Sequence, residues 1–267
     1  MPVLTSPLTH LEAAIILAII AILSLKLKFL DPKGIIASII IGYIIIVLGG
    51  LSYFTVLLAF FIISSIITRL RVRAIGELHI DKDWIRSWRN VLANGLAPAL
   101  AILIPRLLSC DERIMAAGYL GAVGTAFADT LATEVGLFYR GKPRLITSFE
   151  RVEKGTPGAV SPYGYLGCII ALLILGALSW ILGAASPKLA LMLIPAGVIG
   201  TTIDSLLGAG VQGKYRCLEC GRIVENPHHC GQQAQYFSGV KWINTHIVNL
   251  ISTGLGAVLL AAFAALL

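Results

Sequence analysis

The sequence predicts an all-α integral membrane protein, a polytopic bundle of about eight transmembrane helices. Of its 267 residues, 57% are hydrophobic and only 13% are charged, whereas about a quarter of the residues in a soluble domain are charged. The apolar residues gather in runs close to the roughly 20 residues that span a bilayer as a helix. Because lipid offers the backbone no hydrogen-bond partner, each run is expected to be helical, and the sequence lacks the alternating pattern of a membrane barrel.

Eight apolar runs divide the chain. They extend approximately over Leu11–Leu27, Gly34–Gly49, Ser52–Leu70, Arg89–Leu108, Ile114–Phe138, Ser161–Leu182, Leu189–Gly210 and Trp242–Leu267. A signal peptide is the alternative interpretation of the first run, but no small-residue cleavage site precedes the second run and basic residues follow the first. Since no repeat or coiled-coil pattern divides the chain, we expect one membrane domain over residues 1–267.

Lysine and arginine separate the connections between the runs into two groups. Only Arg106, Arg113 and Lys188 of the 21 cationic residues fall in one group, and the other 18 fall in the alternate group. Short loops rich in Lys and Arg stay in the cytosol, so both termini are predicted outside and the long connections in the cytosol. This basic face is suited to anionic headgroups or an anionic substrate, and we expect no nucleic acid partner.

Three connections are long, over residues 76–89, 139–158 and 212–241. The first carries Trp84 and Trp88 one helical turn apart, beside Asp81 and Asp83. This pattern predicts a short helix lying in the membrane interface.

The last long connection contains a cysteine cluster with metal-ligand spacing. Cys217 and Cys220 form a Cys-x-x-Cys pair before a glycine, and Cys230 follows His228 and His229 directly. Three thiolates and one histidine complete a structural zinc site, and the predicted cytosolic side disfavours disulfides. Either histidine is a candidate for the fourth ligand, and reduced thiols without a metal are the alternative. The sequence therefore predicts a zinc knuckle within residues 212–241.

Carboxylates within the predicted spans point to a second metal site. An ionisable group at the centre of a spanning helix costs about 2.5 to 3.5 kcal/mol and so marks function. The fifth run carries Asp129 and Thr133 on one face and Glu134 on the adjoining face. The seventh carries Asp204, followed by Ser205. Because carboxylate oxygens bind hard cations, Asp129, Glu134 and Asp204 are the predicted magnesium ligands.

The predicted directions of the helices add an electrostatic argument. Helices five and seven end at the cytosol, where their negative ends favour a cation, whereas helices four, six and eight begin there and favour an anion. Polar residues at these incoming ends are Arg89, Asn90, Asn94, Asn244, His246 and Asn249. Together these features describe a site for a magnesium-nucleotide complex. The alternatives are hydrogen bonds between neighbouring helices and an ion pair of Arg89 with an aspartate.

The connection between helices five and six has the chemistry of a phosphate-binding loop. Two glycines let the backbone approach an oxyanion, Lys154 supplies charge, and Thr156 or Ser161 can cap the following helix. The predicted phosphate-binding residues are Arg144, Thr147, Gly155, Thr156, Gly158 and Ser161. The segment is not a Walker A loop, and a plain Gly-Pro turn is the alternative.

Six ordered motifs resemble the transmembrane-protein-19-like family, which includes phytyl-phosphate kinases. They are Trp88-Arg89-Asn90-Val-Leu-Ala-Asn94-Gly95, Ala128-Asp129-Thr130-Leu-Ala-Thr133-Glu134, Pro143-Arg144-Leu-Ile-Thr147, Lys154-Gly155-Thr156-Pro157-Gly158-Ala-Val-Ser161, Asp204-Ser205-Leu-Leu-Gly208-Ala and Trp242-Ile-Asn244-Thr245-His246-x-x-Asn249. The resemblance spans about 88–252. It implies a membrane enzyme that transfers the γ-phosphate of a nucleoside triphosphate, CTP in these kinases, to a prenyl monophosphate such as phytyl or geranylgeranyl phosphate. The zinc-like cluster is not a feature of the plant enzymes.

The residues fit this chemistry independently of the resemblance. A phosphate monoester is already ionised at neutral pH, so transfer needs cations rather than a dedicated base. Arg89 and Lys154, with Mg²⁺ on Asp129 and Asp204, would neutralise and align the two polyanions in an active site facing the cytosol. A lipid-phosphate cytidylyltransferase is the nearest rival. An ion-coupled transporter is a weaker one, because the outer halves of helices six and eight are almost wholly apolar.

Overall fold

The computed structural model describes residues 6–75 and 85–266. These residues form eight long helices: α1 (Pro7–Lys26), α2 (Pro32–Gly49), α3 (Leu51–Ile75), α4 (Trp88–Leu107), α5 (Glu112–Gly136), α6 (Pro162–Ile181), α7 (Pro187–Gly210) and α8 (Thr245–Ala265). They also form seven short strands: β1 (Arg144–Leu145), β2 (Ala159–Val160), β3 (Lys214–Arg216), β4 (Ile223–Val224), β5 (His228–His229), β6 (Gln232–Gln233) and β7 (Gln235–Ser238). The interfacial helix predicted around Trp84 lies outside the described residues.

All eight described helices are long and apolar enough to cross a membrane, which confirms the predicted fold class. Capping residues set many of their ends. In α1, α2, α6 and α7 a side-chain oxygen accepts a first-turn amide and a proline follows it; the caps are Ser6, Asp31, Ser161 and Ser186. The last helix was predicted to begin at Trp242 but begins at Thr245, because Asn244 caps it.

The connections gather at two opposite ends of the bundle. We call one of them the loop end. There the first and third connections are joined by a hydrogen bond, in which the Arg86 amide donates to the Phe29 carbonyl at 3.0 Å. At the other end, Ser52 Oγ donates to the Leu182 carbonyl (2.8 Å) and Arg106 Nε donates to the Leu48 carbonyl (3.0 Å). Alternate connections therefore lie at opposite ends, as expected for helices that cross the bilayer in turn.

The central helix of the bundle is α5, which packs against α3, α4, α6, α7 and α8. Every residue from Met115 to Ala128 is buried, and most of them are small. Gly121 packs so closely on Gly256 of α8 that neither position has room for a β-carbon. Small residues allow this close approach of helices in membranes. As a result, the loop end of α5 is surrounded by its neighbours.

Candidate functional site

A cavity of about 180 Å³ lies at the loop end, among α5, α6, α7, α8 and the two connections that follow α5 and α7. Asp129 of α5 and Asp204 of α7 both line it. Thr133, Ser205 and Asn249 line it as well. The structure therefore brings together the two aspartates that the sequence predicts as magnesium ligands.

Hydroxyl-bearing residues bind Asp204 or line the cavity. Ser252 of α8, which is buried, donates its hydroxyl to Asp204 Oδ2 at 2.6 Å. Tyr165 lines the cavity from α6, and its hydroxyl lies 3.3 Å from Thr202 Oγ1. Proteins bind Mg²⁺ through one or two carboxylates together with water and substrate phosphates, so the two aspartates of the cavity fit that ion.

The predicted phosphate-binding loop forms another wall of the cavity, through Lys154, Gly155, Thr156 and Gly158. Antiparallel pairing of β1 with β2 closes the base of this loop. Gly158 has a φ of +78°, and a β-carbon there would run into the backbone of Ala209. Only glycine therefore lets the loop lie against the end of α7.

The helix ends at the cavity have the predicted polarity. Ser161 lines the cavity and caps α6, accepting from the Gly164 amide at 3.0 Å, which confirms it as the cap. Thr245, the first residue of α8, also lines the cavity, so two positive helix ends face it. The α5 and α7 ends contribute Leu137 and Gly208.

Two lysines bind the carbonyls at the negative ends of α5 and α7. Lys154 Nζ donates to the Leu137 carbonyl at 3.0 Å. Lys214 Nζ donates to the Ala209 carbonyl, and burial lowers the pKa of Lys214. In the sequence, Lys214 is recognisable only as one of the 18 cationic residues of the predicted cytosolic connections. Lys214 lies four residues beyond α7, and cations near the end of a helix often bind its last carbonyls. This position could have predicted the contact.

The structure corrects the predicted magnesium ligand set, because Glu134 does not line the cavity. Its carboxylate accepts from Arg71 Nε at 2.8 Å and from Thr68 Oγ1 at 2.9 Å, both on α3. Arg71 is 2% exposed and Glu134 is 3% exposed. Successive helical residues are rotated by about 100°, so Thr133 faces the cavity while Glu134 faces α3.

Residues predicted at the start of α4 also lie outside the cavity. Asn90 and Asn94 line a second, mainly apolar cavity of about 100 Å³ among α1 to α4, together with Arg86. Arg89, a predicted catalytic residue, is exposed, and its guanidinium carbon lies 5.5 Å from the centre of the Trp88 ring. The α4 helix meets α8 through Ala93, whose carbonyl accepts from Thr253 Oγ1 at 3.5 Å. The predicted site residues of α4 therefore face the second cavity or the protein surface.

The remaining predicted phosphate-binding residues have local roles or are exposed. Arg144 is exposed and donates to the Phe149 carbonyl at 2.8 Å, and Thr147 is exposed beside it. Asn244 accepts from the backbone amides of His246 and Ile247 as the cap of α8. His246 is half-buried and does not line the cavity.

Residues 15–257 match the family described as integral membrane protein DUF92. The chain belongs to this family. That assignment confirms the resemblance to transmembrane-protein-19-like proteins that the six motifs predict. No solved structure matches the chain.

Curated relatives of this DUF92 protein include archaeal and plant proteins. A membrane protein of Methanocaldococcus jannaschii is 35% identical over 73% of this chain and 80% of its own length. Protein PGR of Arabidopsis thaliana is 30% identical over 93% of this chain and 94% of its length. The chloroplastic protein VTE6 of Arabidopsis thaliana is 24% identical over 86% of this chain and 63% of its length.

One wall of the cavity was not predicted from the sequence, and it comes from the last long connection. Arg222, Ile223, Val224 and Glu225 line the cavity from the segment that includes β4. Gln212 Nε2 donates to Glu225 Oε2 at 3.1 Å, which ties this segment to the end of α7. A two-residue strand carries no periodic pattern, so only its closeness to Cys220 could have drawn attention to it.

The cysteine ligands of the predicted zinc site lie close together with one of the two candidate histidines. The ligand atoms of Cys217, Cys220, His229 and Cys230 all lie within 4.8 Å of one another. His229 Nδ1 lies 3.5 Å from Cys220 Sγ and 3.2 Å from Cys230 Sγ. Zinc binds sulfur at about 2.3 Å and nitrogen at about 2.0 Å, which places tetrahedral ligands about 3.5 Å apart. The cluster therefore fits a tetrahedral metal ion.

The structure decides between the two candidate histidines. Neighbouring residues of a strand face opposite sides, and in β5 His229 is buried in the cluster while His228 is exposed. Hydrogen bonds from the Cys220 amide, and next from His229, lower the pKa of Cys217 to about 6. Burial raises the pKa of Cys230 to about 12. A bound metal would hold both as thiolates.

Proposed function

We propose that this protein is a prenyl-phosphate kinase. It transfers the γ-phosphate of a nucleoside triphosphate, with CTP favoured, to a prenyl monophosphate such as phytyl or geranylgeranyl phosphate. The observation that carries the proposal is the single cavity that Asp129 and Asp204 share with the loop of Lys154, Gly155 and Gly158. The resemblance of the six motifs to phytyl-phosphate kinases supplies the substrate class.

Each wall of the cavity has a role in this reaction. Asp129 and Asp204 would hold Mg²⁺, which when bound supplies positive charge to the phosphates. Gly155 and Gly158 let the backbone approach phosphate oxygens, and the α6 and α8 ends favour their negative charge. Lys154 adds a cation while it holds the end of α5. The protein therefore acts by positioning and neutralising two polyanions.

The acceptor needs no catalytic base. A phosphate monoester has its second pKa near 6, so at neutral pH a phosphate oxygen is already an ionised nucleophile. It attacks the γ-phosphorus, the bond from that phosphorus to the bridging oxygen breaks, and the nucleoside diphosphate leaves. The products are the prenyl diphosphate and the nucleoside diphosphate.

A membrane setting suits a substrate with an isoprenoid chain. The α6 helix lines the cavity with Gly164 and Tyr165 and exposes Leu166, Ile170 and Leu173 on its outer surface. The prenyl chain remains in lipid beside this surface while its phosphate enters the cavity at the loop end. The charge distribution of the connections favours placing this end in the cytosol.

An activity panel tests the proposal. Purified protein is incubated with Mg²⁺, a C20 prenyl phosphate and each common nucleoside triphosphate in turn, and the products are separated. We expect prenyl diphosphate and CDP, with the highest rate for CTP. A CDP-linked lipid with pyrophosphate would instead identify a cytidylyltransferase, and no product with any prenyl phosphate would refute the kinase proposal.

A further inference from the structure

We propose that Arg222 binds the anionic substrate in the cavity, and that the metal cluster of Cys217, Cys220, His229 and Cys230 holds it in place. The cluster would then control substrate binding as well as folding of the connection. The inference rests on the proposed function for the identity of the anion, a nucleotide or prenyl phosphate.

Arg222 contributes a cation to the cavity from the connection that follows α7, whereas the predicted phosphate-binding loop belongs to the connection that follows α5. It lines the cavity together with Lys154 and both aspartates. Among the described residues, no carboxylate forms an ion pair with its guanidinium. Arginine binds phosphate with two parallel hydrogen bonds, which gives it more directional strength than a lysine. The Glu153 carboxylate, which also lines the cavity, interacts with Arg222 electrostatically but forms its ion pair with Lys142. The hydrogen-bond donors of Arg222 can therefore face a phosphate group.

The backbone couples Arg222 to the metal ligands. The Cys217 amide donates to the Arg222 carbonyl at 2.9 Å, and the Gly221 amide donates to the Cys217 carbonyl at 3.0 Å. Beyond this turn, Arg216 pairs with Ile223 in the antiparallel β3 and β4 pair. Arg222 thus sits in a hairpin whose turn is the Cys217 to Cys220 pair.

Metal binding would stabilise the turn of this hairpin. The strands β3 and β4 contain only three and two residues, and β3 pairs on its other side with the four-residue β7 in a three-stranded sheet. A sheet with such short strands has few backbone hydrogen bonds to hold the turn of Cys217 to Cys220. A structural zinc ion contributes its binding energy to the folding of the segment that ligates it. Metal binding would therefore fix the turn and, through the backbone of Cys217, the position of Arg222.

The hairpin is also anchored to the helix that carries Asp204. Lys214 opens β3 and binds the Ala209 carbonyl at the end of α7. Glu225, directly after β4, accepts from Gln212. These contacts place the metal-supported hairpin and the magnesium-binding helix on the same cavity. Loss of the metal would therefore weaken anion binding while Asp129 and Asp204 remain in place.

The test compares two arginines of the same hairpin. Arg222→Gln removes the cavity cation, whereas Arg216→Gln is the matched control, because Arg216 is exposed, stacks on Phe237 at 4.7 Å and does not line the cavity. Metal content is measured by elemental analysis. Binding of CTP and of inorganic pyrophosphate is measured by calorimetry, alongside the kinetics of transfer.

We expect Arg222→Gln to keep its metal and to bind both ligands about tenfold more weakly or worse, a loss typical of a charged hydrogen bond. KM should rise more than kcat falls. The Arg216→Gln control should bind within about twofold of the unmodified protein. Cys220→Ser should lose the metal and bind as weakly as Arg222→Gln, and the double variant should be no weaker, since both changes act through one group.

Two results would overturn the inference. One is unchanged anion binding in Arg222→Gln, and the other is metal loss in Cys220→Ser with full affinity. Transfer activity that survives in Arg222→Gln with unchanged KM would leave the kinase proposal standing and remove this one. Pyrophosphate binding that depends on Arg222, without any phosphate transfer, would support the role of Arg222 and refute the kinase proposal. Failure of the unmodified protein to bind either ligand would refute both.

Discussion

Glu134 and Asp129 are five residues apart on α5, yet their carboxylates have different surroundings. Asp129 lines the cavity, whereas Glu134 is buried against Arg71 and Thr68 of α3. Sequence spacing places the two on adjoining faces but does not reveal which neighbour each face meets. The charged partner on α3 was visible in the sequence only as one of many loop cations. The role of each carboxylate therefore depends on which residues of the neighbouring helices it contacts.

Glu134→Gln should therefore act on stability. The change leaves Arg71 buried without its counter-ion, and breaking a buried pair in this way costs about 3 to 5 kcal/mol. We expect a lower thermal midpoint in detergent, with the Mg²⁺ concentration needed for activity unchanged. Glu219→Gln, at an exposed position, is the control and should melt like the unmodified protein. A normal midpoint together with a raised Mg²⁺ requirement would return Glu134 to the metal site.

At the scale of elements, long apolar runs are far easier to predict than short strands. The eight helices follow from length and composition, because the bilayer imposes both. The strands β1 to β7 contain two to four residues each and are held by turns, by pairing with one another and by contacts with helix ends. For this reason the sequence predicts the loop chemistry of Lys154 and Cys217 but not that Arg222 joins the cavity.

The packing of α5 on α8 gives a second prediction. Gly256→Ala places a β-carbon against Thr125 and the Gly121 carbonyl, so it should lower the thermal midpoint by several degrees. Gly254 is on the same helix with open space around it, and Gly254→Ala should be neutral or slightly stabilising. Melting curves of the two variants measure the difference. Equal midpoints would show that the two helices do not pack this closely.

At the scale of the whole molecule, alternate connections lie at opposite ends of the bundle. The cationic residues predict which end faces the cytosol, because within residues 6–75 and 85–266 only the cations Arg106, Arg113 and Lys188 lie at the end away from the cavity. The six motifs, distant in sequence, converge only in part. Residues of α5, α7 and the predicted phosphate-binding loop meet at one cavity, whereas Asn90 and Asn94 line another.

Labelling of cysteines tests the orientation. Cys110 is exposed in the connection between α4 and α5, at the end opposite the cavity. A membrane-impermeant maleimide applied to intact cells should label Cys110, and Cys110→Ser should lose this labelling. A cysteine placed at the exposed Ser148, in the connection after α5, should react only after the membrane is opened. The reverse pattern would place the cavity outside.

The most direct measurement follows the γ-phosphate of CTP. With label at that position and geranylgeranyl phosphate as acceptor, the unmodified protein should produce labelled prenyl diphosphate. Asp204→Asn should reduce this rate by about 100-fold or more without changing the melting curve, since the site loses charge that stabilises the transferred phosphate. Asp111→Asn, a conservative change at the α5 cap on the opposite end, should transfer at the normal rate. Full transfer by Asp204→Asn, or label that never reaches the lipid, would contradict the account.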